Sequence, residues 1–425
     1  MIDCSLNLVE TWAEADSFMQ WLHEPRQVLA VDTETGGFNW WRDPLRLVQF
    51  GDTGAGWSVP WDMWRGMICE ALATYHGDIV FHNAKFDIKY LEHNGATLDH
   101  SRVHDTMAMA HLLDSSSSVA LKTLGVRYVD RSASDGQSEL KKAMAANRWT
   151  WATIPTNFEA YWVYAALDTV ITACLYQQFQ PQITGRLRDV YELEIASTLI
   201  LNEMEKLGTR IDLDYCHTKR EELLTFAAAT KEWAQSTYGC AIGSNPQLSA
   251  ALQREGVMLR KKTDSGAWSV DESVLEQIDH PLASAALAQR TATKTANAYF
   301  GKFLELADGD VLHPNVRPLG ARTGRMSITD PPLQQMPADS PLVRDAFIPR
   351  DGNRLLAVDY SQVEMRILAR LSKDAGLAAA FAEQGDFFTN MAKLIYADDS
   401  ITKADPRRNV TKHASYAKIY GAGIP

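Results

Sequence analysis

The sequence predicts an α/β fold for its first part, a mixed sheet with helices packed on it. A mostly α middle and an α+β end follow. Three observations carry this. Short apolar runs bounded by Gly, Asp and Asn crowd the segment 28–81. Patterns with apolar residues three and four apart then take over, from Phe86 to Gln178 and again from Arg188. Pro and Gly cluster over 310–340, and an apolar run, Leu355-Leu356-Ala357-Val358-Asp359, comes after them.

In chain order, Val28–Val31 ends in Asp32 and reads as a strand, as do Leu45–Phe50, Trp57–Pro60 and Asp78–Phe81. Helices are expected over Phe86–His93, Thr106–Leu113 and Phe158–Gln178. Strands first and helices after them suit a mixed sheet with helices on it. Ser115–Ser118 and Arg131–Gln137 read as loops, too short to be linkers. The Pro181/Gly185 break marks a boundary near residue 185. A long amphipathic helix, Arg188–Lys206, is stopped by Gly208, and another runs from an Asp212 cap to Tyr238. Gly243-Ser244-Asn245-Pro246 turns into a further helix, and Pro281–Leu306 is helical. Leu355–Asp359 has the pattern of a buried strand leading into a helix.

The 425 residues suffice for about two to four domains. Hydrophobic content of 46% and charged content of 22% are those of an ordinary globular chain. A net charge of −11 argues against a binder that works through bulk positive charge, but not against a local basic cleft. The five cysteines, Cys4, Cys69, Cys174, Cys216 and Cys240, show no CxxC spacing, which points away from a zinc or disulfide framework. No basic segment leads into an apolar run at the N-terminus, and no stretch of about 18 apolar residues exists. A cytoplasmic protein with no membrane partner is expected.

Asp32 and Glu34 stand two apart on a strand, so their carboxylates share one face. Asp87 follows the strand ending at Phe81. Tyr164 and Asp168 stand four apart on one helix face. Four carboxylates suit two Mg²⁺ or Mn²⁺ ions, and two such ions suit phosphodiester cleavage. Taken singly, each motif is as well explained by a solvated strand edge or by helix packing. In this order and context they resemble the DEDDy-type 3′–5′ exonucleases, in particular the proofreading domain of A-family DNA polymerases. The resemblance spans roughly residues 25–180 and implies a ribonuclease H-like domain. It also implies Asp32, Glu34, Asp87 and Asp168 as metal ligands, with Tyr164 orienting the water. Asp105, between the second and third motifs, is assigned a helix-capping role.

The resemblance to A-family polymerases continues from about Val190. Tyr191–Ile195 and Met204–Gly208 resemble the start of the thumb, and Ser244–Leu248 its tip. Thr323-Gly324-Arg325-Met326-Ser327 and Pro332–Pro337 resemble the palm segment that holds the duplex. Arg325, Gln334 and Gln335 are therefore candidate DNA contacts. Minor-groove acceptors barely differ between base pairs, so such contacts would test pairing geometry rather than read sequence.

Asp359 to Arg366 resembles polymerase motif A. This implies Asp359 as a metal ligand and Glu364 as the residue that excludes a ribose 2′-OH. Arg408, Lys412, Tyr416 and Tyr420 recur every four residues as one helical stripe, two cations and then two aromatics. That order suits a dNTP's triphosphate followed by its sugar and base. One departure lies in Gly385-Asp386-Phe387-Phe388, where the family usually has Asp-Ile-His and Phe388 stands in place of the His. The family's second catalytic Asp is expected beyond the segment ending at Pro425, so a complementing C-terminal fragment is an expected partner.

The domain reading is 1–185 exonuclease, 186–318 thumb and connecting helices, 319–372 partial palm with motif A, and 373–425 start of the fingers. The expected function is the N-terminal part of a proofreading polymerase acting on primer–template DNA, single-stranded 3′ ends and dNTPs. The alternatives are a stand-alone exonuclease with a DNA-binding polymerase remnant, and a non-catalytic clamp-like subunit.

Overall fold

The computed structural model describes residues 2–337, 341–382 and 385–423. The chain divides into two compact units, Met1–Gly352 and Asn353–Pro425.

The first unit opens with β1 (Ser5–Leu8), α1 (Trp12–His23), β2 (Val28–Thr35), β3 (Leu45–Gly51), β4 (Ala55–Pro60), α2 (Trp61–Thr74) and β5 (Asp78–Phe81). Then come α3 (Ala84–His93), β6 (Val103–Asp105), α4 (Thr106–Leu113), α5 (Leu121–Tyr128), α6 (Gln137–Asn147) and α7 (Glu159–Phe179). The six strands form one mixed sheet in the order β1-β4-β3-β2-β5-β6. β2 pairs antiparallel with β3 and parallel with β5. All four strands read over residues 28–81 are present. The short strands β1 and β6 and the helices α1, α2, α5 and α6 add to that reading. Arg131–Ser134 closes into a single 3₁₀ turn and Gln137 opens α6, so the segment read as a loop is partly helical.

The sheet is covered on both faces, and β2 shows why. Leu29 and Val31 join the core beneath α1, α2 and α3. Val28 and Ala30 join the opposite core, with residues of α4, α5 and α7. Phe50 and Phe81 have no exposed surface, and each such side chain contributes about 1.5–3 kcal/mol.

The helical part of this unit begins with α8 (Arg186–Leu207), which Gly208 ends at φ +63°. β7 (Thr209–Arg210) leads into α9 (Leu213–Tyr238), capped by the Asp212 carboxylate on the Tyr215 N–H at 2.8 Å. α10 (Asn245–Arg254), α11 (Glu272–Leu275) and α12 (Pro281–Lys294) follow. From Thr295 to Gly301 the helix widens to π geometry before α13 (Lys302–Leu306). β8 (Val311–Leu312) pairs with β7, β9 (Asn315–Arg317) pairs with β10 (Ser327–Thr329), and the short α14 (Pro341–Arg344) lies near the unit's end.

The second unit contains α15 (Val363–Ser372), α16 (Ala375–Ala382), α17 (Phe387–Tyr396) and α18 (Pro406–Ile419). Its core is small and centres on Met365, Ala380, Phe387 and Phe388. The expected buried strand Leu355–Asp359 is absent. The segment takes no strand conformation, and Leu356 is 88% and Val358 85% exposed. An apolar run becomes a strand only beside another that takes up its N–H and C=O groups. Among the described residues of this unit there is no such strand.

Candidate active site and nucleotide-binding helix

Asp32 and Glu34 continue the face of β2 that begins with Val28 and Ala30, the face against which α7 packs. β5 pairs with β2 only over Val28–Ala30, so both acids lie beyond the carboxyl end of β5. The β2–β3 register shifts at Glu34/Thr35, a bulge of the kind that re-aims side chains beside sites. Thr33 points the other way, and its hydroxyl donates to Asp87 Oδ1 at 2.7 Å. Asp87 stands in the first turn of α3. α7 supplies Asp168 and Tyr164.

Asp105 fixes the entry to α3. Its carboxylate accepts from the N–H groups of Asn83 (3.1 Å) and Ala84 (2.9 Å), and from those of Met107 (2.8 Å) and Ala108 (3.3 Å). The capping role expected for Asp105 is therefore present at α4 and extends to α3.

The acids crowd one another. Burial raises the Asp32 carboxyl well above its ordinary value, and the charges of Asp87 and Asp168 raise it further. Glu34 is raised by burial and then by Asp32 and Asp168. Asp87 is pushed up to about 8 by burial, against the pull of the Thr33 hydrogen bond. Asp168 is raised by burial, while Lys122 and Tyr164 hold it down. Burial, then Asp168, raises the Tyr164 hydroxyl, so it keeps its proton at neutral pH.

Lys122 of α5 donates to Asp168 Oδ1, and its ammonium lies 4.2 Å from the centre of the Tyr164 ring. Among the described residues, no three His, Cys, Asp or Glu side chains converge as a finished metal shell. The arrangement is instead a cluster of repelling carboxylates with one lysine ammonium supplying positive charge. An all-oxygen donor set in need of positive charge suits a hard divalent ion.

Sequence reasoning missed Lys122, which is 46 residues from its partner in the chain. It also missed Tyr161, one turn before Tyr164, whose buried hydroxyl is raised by burial and then by Glu34. Phe38, 87% exposed on the loop after β2, lies edge-on to Phe86 at 6.4 Å and offers a stacking face.

The candidate DNA contacts differ in availability. Arg325 is exposed, after Gly324 at φ +76°. The Gln334 amide accepts from the Ile328 N–H at 3.1 Å and donates to the Met326 carbonyl at 3.2 Å, so it braces β10. The Gln335 side chain is exposed, and its carbonyl accepts from the Tyr299 hydroxyl at 2.5 Å.

In the second unit, Asp359 is exposed and Glu364 lies in the first turn of α15. Arg408, Lys412 and Tyr416 lie along α18. Tyr420 caps that helix one residue beyond its end, so the stripe is three helical residues and a cap. The Tyr420 hydroxyl donates to Glu364 Oε1 at 3.2 Å, and the Tyr416 hydroxyl to Gln362 Oε1 at 3.4 Å. Motif A and the stripe are thus brought together. Arg408 is engaged by Asp386 in two bonds of 2.7 Å, which hold the Asp386 carboxyl well below its usual range.

Comparison with known proteins accounts for both regions. Residues 7–184 match the family described as 3′-5′ exonuclease, and residues 214–424 match DNA polymerase family A. The DNA polymerase of Mycobacterium phage L5 is 29% identical over 99% of this chain and 73% of its own length. DNA polymerase I of Synechocystis is 33% identical over 84% of this chain and 37% of its own length. A solved structure, the POL domain of Pol1 from M. smegmatis in complex with DNA primer-template and dNTP, superposes with a TM-score of 0.73 at 25% identity. That match covers 98% of this chain and 71% of the solved one.

Proposed function

We propose, for a chain that belongs to DNA polymerase family A and carries a 3′–5′ exonuclease domain, that Asp32, Glu34, Asp87, Asp168 and Tyr164 hydrolyse 3′-terminal nucleotides of DNA. The observation that carries this is the crowding of four acids from β2, α3 and α7, Asp87 and Asp168 buried and Asp32 and Glu34 half-buried. Both families generally use divalent metal ions. Here Asp32, Glu34, Asp87 and Asp168 would hold two Mg²⁺ or Mn²⁺ ions, which when bound supply an activated water and a stabilised leaving oxygen.

The chain's own residues do the rest. The four acids, all raised by burial, would give up any protons they hold if cations load. Tyr164, protonated at neutral pH, orients the water by hydrogen bonding. Lys122 neutralises Asp168 when no cation is bound. Phe38 stacks on a frayed 3′ base.

On the polymerase side, Glu364, Arg408, Lys412, Tyr416 and Tyr420 receive the dNTP, and Asp359 ligates its metal. Arg325 and Gln335 contact the primer–template, and Gln334 acts by bracing β10. Arg408 must release Asp386 to reach a triphosphate. This reading divides the chain into exonuclease (1–185), thumb (186–318), partial palm (319–372) and the start of the fingers (373–425).

The test is a labelled primer–template ending in a 3′ mismatch, incubated with the protein, Mg²⁺ and all four dNTPs. Removal of the mismatched nucleotide is expected. A primer that stays at full length would overturn the exonuclease reading.

A further inference from the structure

α3 works on two sides. Asp87 meets β2 through Thr33, while Lys85 and Lys89, one turn apart, meet α8. Both ammonium groups donate to Glu205, one to each carboxylate oxygen, and the Glu205 side chain is only 1% exposed. Glu205 Oε1 also accepts from the Val316 N–H, and Lys85 donates to Asn315 Oδ1 at 2.9 Å. α3, α8 and β9 therefore meet at one buried carboxylate.

The same turn reaches β2. The Glu205 carbonyl hydrogen-bonds His313 Nδ1 at 2.7 Å. The His313 ring packs 5.0 Å from Trp40 and 4.9 Å from Trp41, in the loop that leaves β2 after Asp32 and Glu34. Glu205 is not among the charges that act on the four acids themselves, so it does not share their chemistry.

We propose that Glu205 is a positioning residue for exonucleolysis: through Lys85 and Lys89 it clamps α3, and with it Asp87, to the end of α8 and to β9. This rests on the exonuclease reading above. A buried, hydrogen-bonded polar cluster holds one geometry because each member is costly to leave unpaired. α3 is thereby fixed to the segment that leads into β9 and β10, and a shift there is passed to Asp87. The groups around metal ligands set affinity and rate without touching the metal.

The experiment uses the whole chain with Glu205→Gln, and with Lys85→Met, Lys89→Met and Glu205→Gln together. The triple variant is neutral and keeps an acceptor for the Val316 N–H. Mn²⁺ binding is followed by electron paramagnetic resonance, kcat and KM on a labelled single strand, and Tm by calorimetry. Both variants should bind Mn²⁺ about tenfold more weakly and show a kcat lowered about tenfold, with KM unchanged. Mn²⁺ affinity and kcat equal to the parent's, at whatever Tm, would overturn the proposal. So would a triple variant that no longer melts cooperatively, since Glu205 would then be a fold determinant. A parent chain that neither binds Mn²⁺ nor shortens the strand would overturn the exonuclease reading, and the clamp with it.

Discussion

Thr33 stands between Asp32 and Glu34 in the chain and faces away from both, and this one alternation assigns the acids to their helices. Asp32 and Glu34 look toward α7 and its Asp168, while Thr33 reaches Asp87 on α3. Tyr164 is held between Lys122 on its ring and the acid cluster, and burial, then Asp168, keeps its hydroxyl protonated. Tyr164→Phe keeps the ring and the lysine contact and removes only the hydroxyl. It should slow single-strand cleavage about 10- to 100-fold and leave Mn²⁺ affinity unchanged. A rate equal to the parent's would remove the tyrosine from the reaction. That Asp32 and Glu34 share a face, and Tyr164 and Asp168 another, was legible because strand and helix periods place side chains on faces, whereas Asp87 joined them only by the family resemblance. Lys122 was not legible, because only the fold brings α5 over α7. The bonds of Gln334 and Arg408 were hidden for the same reason: a residue type says what a side chain can bind, and its neighbours say what it does bind.

At the scale of elements, α8 is the piece whose ends matter most. Near its start, the Tyr191 hydroxyl accepts from the Asp105 N–H at 3.0 Å; near its end, Glu205 takes both lysines of α3. Gly208 stops it at φ +63°, where an added Cβ would stand 2.5 Å from the Leu312 carbonyl oxygen. Gly208→Ala should therefore cost on the order of 1–3 kcal/mol, read as a lower urea midpoint. An unchanged midpoint would contradict this account of the helix end. This stop was readable from the sequence, as were the Asp212 cap and the turn before α10, because cap chemistry is local. α1 carries an equally local signal, a capping box of Thr11 and Glu14. β1 and β6 are four and three residues long, too short for a period to declare itself. The run Leu355–Asp359 failed for the opposite reason, since its pattern was clear but a strand needs a neighbour.

At the scale of the molecule, an acidic chain of net charge −11 must handle a polyanion, so its functional charges act locally. The acids proposed for hydrolysis lie in the unit Met1–Gly352 and the stripe proposed for the nucleotide in the unit Asn353–Pro425, each with its own core. Among the described residues, no helix is long and apolar enough to cross a membrane. Removing two acids from the first unit should abolish hydrolysis without weakening the hold on DNA, since neither acid provides a cationic contact to phosphate. The most direct measurement is therefore the Asp32→Ala, Glu34→Ala double variant with a labelled single strand and Mg²⁺, DNA affinity being measured alongside. The account predicts a rate lowered by more than about 100-fold with affinity retained. Cleavage at the parent's rate would contradict the assignment of these carboxylates as the hydrolytic centre.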